Sequence, residues 1–435
     1  MLISAFIISQ TGKIDRMPLN SDWLTAPIPK PAPELRLSIV IPSHNEPDVI
    51  STLESLSRNT PIDSAVEVIW VLNAAANALP EIQARHIESQ QAIETWKQTK
   101  RPEFEIIVIN AHDLPPKHAG VGLARRIGMD LAAERFQSFG CPEGVIVCLD
   151  ADCSVAPNYL EALEQHFFET FPKSPACSLN FAHPLSGHLP EALYKGILRY
   201  ELYLRYYIQG LRYAQLPHAF HTIGSSMAVR AGVYQAQGGM NRRKAGEDFY
   251  FLHKLIPLGG FSQLNQTTVF PSPRISNRVP FGTGRAMGEW MLHPQAEYPV
   301  YHPQTFADLR QLVLALDGLY PLTPLKIEAF FAALPQSLKT WLDLRQTQEK
   351  LNEIQANSTS EKVFRQRFFR WLDGFRILKF THFARDHVYP EKPLVTAATE
   401  LALWRGVNPP ESADLKKLLE IFRELDLKSY SDSGY

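Results

Sequence analysis

The chain has 435 residues, with 44 Lys and Arg against 45 Asp and Glu and a formal net charge of −1. That balance argues against the broad basic field of a general nucleic-acid binder, and the 45% hydrophobic, 20% charged composition is that of an ordinary globular protein of more than one domain. Its four cysteines, Cys141, Cys148, Cys153 and Cys177, form no C-x-x-C pair and read as reduced structural thiols of a cytoplasmic protein, not as a zinc site.

The apolar start, residues 1–8, is too short to span a bilayer and has no basic flank, so it reads as neither signal peptide nor anchor. No later run approaches the eighteen or so continuous apolar residues of a transmembrane helix. Pro27, Pro29, Pro31 and Pro33 make residues 1–35 an extended lead-in. Residues 37–41 then predict a strand, the loop Pro42-Ser-His-Asn-Glu46 follows it, and a helix spans 48–58. A second strand over 66–72 ends at Asn73. Helix-rich sequence runs to Lys100, a third strand covers 104–109, a helix opens near Gly120, and 145–149 is a fourth strand. Such alternation predicts a largely parallel sheet with crossover helices.

The fourth strand is five apolar residues ending in Asp150-Ala-Asp152. Open α/β sheets bind ligands at the carboxyl ends of their strands. Two acids one residue apart repel each other unless a cation joins them, and Mg²⁺ or Mn²⁺ carrying a diphosphate suits an all-oxygen set; the same residues also suit a solvated turn. The loop 42–46 lacks glycine. A dinucleotide-binding oxidoreductase would show G-x-G-x-x-G there, and a nucleotidyltransferase a glycine-rich basic loop.

Further along come a helix over 158–169, a strand over 176–182 and a helix over 190–216. Its tyrosines (Tyr194, Tyr200, Tyr203, Tyr206, Tyr207 and Tyr213) spread around the axis. Packing beneath a cleft suits them better than a membrane face, with an acceptor groove or a peripheral membrane contact left open. Small residues in 222–230 allow close approach of a ligand or another backbone. After Gly238-Gly239 a helix begins with Glu247 and Asp248, acids that also fit simple capping of a helix N-terminus. From Arg242 to Arg285 seven basic residues face two acids, and Arg274, Arg278 and Arg285 stand in a Pro-, Gly- and Arg-rich stretch fit to neutralise a diphosphate or to form a solvated basic loop. Helical segments follow at 306–316, 324–333, 338–355, 361–375 and 413–425. They name no chemistry, so the expected division is a catalytic domain over 36–300 and a helical region over 301–435.

In order, Ile-Val-Ile-Pro-Ser-His-Asn-Glu46, Gly120-Val-Gly-Leu-Ala-Arg-Arg-Ile-Gly128, Asp150-Ala-Asp152 and Gly224-Ser-Ser-Met-Ala-Val-Arg230 leading to Gly239 and Glu247-Asp248 resemble the family 2 glycosyltransferases. The resemblance covers roughly residues 36–290. It implies the GT-A fold, an α/β domain with a mixed, mainly parallel sheet, together with a nucleotide-sugar donor, a divalent metal (Mn or Mg), inversion at the anomeric carbon and transfer to a hydroxyl acceptor. Carried over by position, Pro42, Ser43, Asn45 and Glu46 lie along base and ribose, and Gly120 and Arg125 beside the nucleotide. Asp150 contacts ribose or metal, Asp152 is the principal metal ligand, and Asp248 or Glu247 is the general base. Asn73 stands where the family often has an acid that reads the base. No histidine follows the acidic helix at the usual place, leaving His293, His302 or no residue as third ligand. The Q-x-x-R-W signature of processive synthases is absent, which points to a single transfer. A catalytically silent binding or scaffold module is the alternative.

Overall fold

The computed structural model describes residues 19–276, 282–294, 297–410 and 414–428. They form two compact units, and the chain passes between them more than once. The first holds residues up to Pro184, Thr222–Ile256 and Gly260–Arg285; the second holds Leu185–His221, Pro257–Gly259 and the chain from Ala286.

In chain order the elements begin with β1 (Leu35–Ser43), α1 (Ile50–Ser57), β2 (Ala65–Ala75), α2 (Pro80–Lys100), β3 (Glu105–Leu114) and α3 (Val121–Ser138). There follow β4 (Val145–Cys148), β5 (Cys153–Val155), α4 (Tyr159–Gln165), β6 (Ala176–Phe181), α5 (Glu191–Tyr213), β7 (Met227–Arg230), α6 (Ala231–Ala236), α7 (Glu247–Leu255) and β8 (Ser262–Pro271). The eight strands make one sheet in the order β3-β2-β1-β4-β7-β6-β8-β5. Pairs β1–β2, β2–β3, β1–β4 and β6–β8 are parallel, while β7 and β5 run antiparallel to their neighbours. The expected mixed, mainly parallel α/β sheet is therefore present. β1 and β2 are central strands because Leu37, Ile39, Val40, Ile41, Val68, Ile69, Trp70 and Val71 are all fully buried, with helices covering both faces. A charged group interrupts this apolar layer: Glu67 accepts from Ser38 Oγ at 2.9 Å and from Arg135 Nε at 2.8 Å, so its burial is compensated.

The proline-rich lead-in is not wholly extended. A single 3-10 turn, Ser21–Trp23, precedes the prolines, and buried Trp23 donates Nε1–H to Asp113 Oδ1 at 2.5 Å. Residues 1–18 lie outside the described part.

The second unit is helical: α5, then α8 (Thr283–Leu292, whose first residues belong to the first unit), α9 (Pro303–Ala315), α10 (Pro324–Ala333), α11 (Gln336–Trp341), α12 (Leu344–Ala356), α13 (Glu361–Trp371), α14 (Gly374–His387), α15 (Leu394–Trp404) and α16 (Leu415–Leu427). A short ribbon pairs β9 (Pro299–Val300) with β10 (Lys392–Pro393). The helices expected over 338–355 and 361–375 each break in two. At both breaks an aspartate caps the next helix: Asp343 accepts from Gln346 N at 2.9 Å and Asp373 from Arg376 N at 2.8 Å. α5 is buried on most sides, which accounts for its scattered tyrosines: Tyr206 packs on Phe306, Tyr207 on Tyr301, Tyr203 on Tyr298 and Tyr213 on Trp404. It also carries charge into the interior. Asp426 of α16 is met by Arg205 Nη1 at 2.5 Å, Gln209 Nε2 at 2.5 Å and His221 Nε2 at 2.8 Å, and Glu201 is met by Arg205 and Arg423. No described helix is long and apolar enough to cross a membrane.

Candidate active site

The site is built where β1 and β4 end side by side, since Val40 pairs with Cys148. Past β4 the chain turns sharply: Cys153 N–H donates to Asp150 O at 3.0 Å, and the Thr52 hydroxyl of α1 holds Ala151 O at 2.8 Å. These two bonds fix the backbone of Asp150-Ala-Asp152 and leave both carboxylates partly exposed.

Two arginines join the acids. Arg125, in the first turns of α3 and only 3% exposed, donates Nη2–H to Asp150 Oδ1 at 2.5 Å and Nη1–H to Glu247 Oε1. Arg274, three residues beyond β8, makes a two-pronged bond to Glu46, with Nη1 at 2.6 Å from Oε1, and also reaches Asp152 Oδ2 at 3.2 Å. The strand end, the loop after β1, the start of α7 and the segment after β8 thereby converge. Glycines make this possible. A Cβ on Gly224 would collide with the Arg125 guanidinium, and one on Gly122 with the carbonyl of Arg243, so the small residues picked out by sequence are close-approach points. Gly120 packs in the same way against Lys244.

α7 opens after Gly246, whose φ of 70° suits glycine. Its two acids differ in setting. Glu247 is 2% exposed and tied to Arg125; Asp248 is half-buried, accepts from its neighbour Phe249 N at 2.7 Å and takes a further bond from the Gly224 amide. Burial pushes Glu247 up to about 7 against the pull of Arg125, with Asp248 and Asp150 pushing the same way. Asp248 is raised too, by burial first, with Arg125 opposing.

Beside this cluster lies a neutral one. His44 Nδ1–H donates to Asn73 O at 2.6 Å, which ties the loop after β1 to the end of β2. Asn45, in the left-handed region at φ 49°, donates its N–H to Nε2 of buried His86 at 3.2 Å. Burial, aided by His44, lowers His86 to about 4, so it is a neutral acceptor near neutral pH. His44 and His86 were not singled out by the sequence. His44 sits inside the recognised loop; His86 lies mid-helix with no local signal. Pro42 and Ser43 form the buried end of β1, and Asn73 is buried at the end of β2.

Arg285 stands exposed at the start of α8, and Arg278 lies outside the described residues. His302 accepts from Gln304 N at 3.0 Å and so caps α9; His293 follows α8, and both belong to the second unit. Among the described residues no three His, Cys, Asp or Glu side chains converge as a preformed metal site. All four cysteines are free thiols, three of them buried.

The strand order, with an acid pair at the carboxyl end of β4, defines the class as a mixed, mainly parallel α/β domain. Residues 38–236, a little under half of the chain, match the model described as Glycosyl transferase family 2. No curated protein matches the chain. Similar solved structures include S. aureus TarS 1-349 in complex with UDP-GlcNAc, at 12% identity and TM-score 0.38, with 91% of this chain and 93% of that chain covered. The mannosyltransferase PcManGT from Pyrobaculum calidifontis, in complex with GDP-Man and Mn2+, is similar at 14% identity and TM-score 0.34, covering 94% and 92%. GalNAc-T7 with UDP, GalNAc and Mn2+ follows at 13% identity and TM-score 0.36, covering 82% of this chain and 58% of that one.

Proposed function

We propose that the chain is an inverting, non-processive glycosyltransferase that moves a sugar from a nucleoside-diphosphate donor to an acceptor hydroxyl, with Asp248 as general base. The observation that carries this reading is the convergence of Glu46, Asp150, Asp152, Glu247 and Asp248 around Arg125 and Arg274 among the described residues. Carboxylates gathered this closely repel a diphosphate unless a cation accompanies it. Asp150 and Asp152, both reachable from solvent, would hold a divalent ion brought in with the diphosphate. When bound, such an ion neutralises the departing diphosphate.

The chain's own residues divide the remaining work. Glu247 is buried and engaged by Arg125, so it positions that arginine and through it Asp150. Asp248 is the more open acid, and its raised affinity for a proton suits it to take one from the acceptor hydroxyl. As that proton moves to a carboxylate oxygen of Asp248, the acceptor oxygen bonds the anomeric carbon. The bond from that carbon to the diphosphate breaks, its electron pair staying on the phosphate oxygen. Arg274 donates hydrogen bonds to the leaving group, with Arg285 and Arg278 as further basic residues of that stretch. Asn45, Asn73 and the backbone at Pro42 and Ser43 border the nucleoside, and their side chains are uncharged, so the base is read by neutral donors and acceptors.

Calorimetric titration with UDP- and GDP-sugars, with and without Mn²⁺, tests the proposal. Metal-dependent binding of at least one, with slow donor hydrolysis lost in Asp248→Asn, is the expected result. Absence of binding to every nucleoside diphosphate would sink it. Metal-dependent binding with no turnover would instead favour a binding or scaffold module.

A further inference from the structure

Arg274 occupies the position in the site that a cation bound to Asp152 would contest. Its place follows from strand register: β8 pairs antiparallel with β5, and Pro271 lies opposite Cys153, so the residues just past β8 run alongside Asp152. Pro271 and Pro273 restrict the backbone on the way there. The guanidinium is then held from the other side by Glu46, a carboxylate only 1% exposed that takes both prongs. Nη2 is shared between Glu46 and Asp152, while Arg274 Nε is buried with no hydrogen-bond partner among the described residues. A buried donor without a partner is unfavourable, so Arg274 is primed for an additional acceptor. Its charge is secure: burial works against it, but the bond to Glu46 and the charges of Asp152 and Glu46 outweigh burial.

We propose that Arg274, anchored by Glu46, is a built-in counter-cation for Asp152 that competes with a divalent metal ion, so that metal and nucleoside diphosphate enter the site as a pair. The inference rests on the reading of Asp152 as a metal ligand. With no nucleotide present, a metal ion approaching Asp152 meets a guanidinium already bonded there and is repelled by it. A diphosphate offers that guanidinium new acceptors, including one for the unpartnered Nε–H, and so releases Asp152. Each ligand then raises the affinity of the other by the same factor, as linkage requires.

The test uses the full chain and follows Mn²⁺ binding by loss of the free-ion electron paramagnetic resonance signal, alone and with saturating UDP or GDP. In wild type Mn²⁺ alone binds weakly, and nucleotide tightens it by about tenfold or more. Arg274→Gln is expected to bind Mn²⁺ alone about tenfold more tightly than wild type, with a smaller nucleotide effect. The double variant Glu46→Gln/Arg274→Gln leaves no buried unpaired carboxylate and gives the same readout where the single variant does not fold. Asp152→Asn separates the two ideas. If it abolishes nucleotide-supported Mn²⁺ binding while neither arginine variant tightens Mn²⁺ binding alone, the competition is wrong and the metal reading stands. If it leaves that binding intact, Asp152 is no metal ligand and both fail.

Discussion

Two buried guanidinium–carboxylate clusters in this chain shift their acids in opposite directions. Around Asp426 the cations prevail: two acids, Asp426 and Glu201, meet three arginines, Arg205, Arg212 and Arg423, while His221, whose neutral form burial favours, hydrogen-bonds Asp426. Although burial works against its charge, Asp426 is held well below the usual carboxylate range by His221, Arg205 and Arg212. Around Asp248 the acids prevail, and burial raises both Glu247 and Asp248. The same residue types thus make a satisfied structural knot in one unit and an under-neutralised site in the other. Charge balance makes the difference.

The largest effect expected from this contrast is on turnover. Asp248→Asn should lower kcat by about 10²–10⁴-fold, the usual contribution of a general base, with the melting temperature unchanged or slightly higher; steady-state kinetics and thermal melts check both. Asp426→Asn should do the reverse, costing about 3–5 kcal/mol of stability in denaturant titration because it strands buried arginines. If both variants destabilise equally, the contrast is broken.

A smaller effect sharpens it. Glu247→Gln should gain on the order of 1 kcal/mol at pH 8, where the wild-type acid is ionised in an unfavourable place. Since Glu247 has a folded-state value of about 7 against 4.5 unfolded, its ionisation destabilises the fold progressively as pH rises between those values. The gain should therefore shrink as pH falls through that window in paired unfolding curves. Asp426 has the opposite sign: its folded-state value is depressed below 3.8, so its stabilisation is present above 3.8 and lost as pH falls through the folded value. The smallest effect is a displacement of the kcat/KM profile. Its acid limb should lie above the usual carboxylate range, following the coupled Glu247–Asp248 pair rather than an isolated carboxylate, and should move to lower pH once a cation relieves the excess negative charge.

Much of the first unit was legible in the sequence because local signals and burial agree there. The run 145–149 ends in acids, and a buried strand that stops at charge is a strand end in almost any fold. The small residues of 222–230 announced a tight approach, and the structure supplies the atoms that Gly224 approaches, those of the Arg125 guanidinium. What the sequence could not disclose is pairing over distance. Arg274 bonds Asp152 from 122 positions away, and Arg205 bonds Asp426 from 221 away; on the page each arginine is one more charge in a loop or on a helix face. α15 is hard to read because its outward face is short, Thr396, Thr399 and Glu400 giving way to an exposed Leu403, and the split helices read as continuous until Asp343 and Asp373 are recognised as caps.

The knot at Asp426 has a bearing on how the chain comes off the ribosome. α5 brings Glu201, Arg205 and Arg212 into place early, between β6 and β7 of the sheet, yet its partner α16 is made some two hundred residues later. Until then an apolar, arginine-bearing helix emerges from the exit tunnel with no carboxylate of α16 to meet it. At about 5–20 residues per second that interval is on the order of ten seconds or more, long enough for a nascent-chain chaperone to hold the segment. Vectorial synthesis therefore favours early docking of the strands and late consolidation of the helical unit.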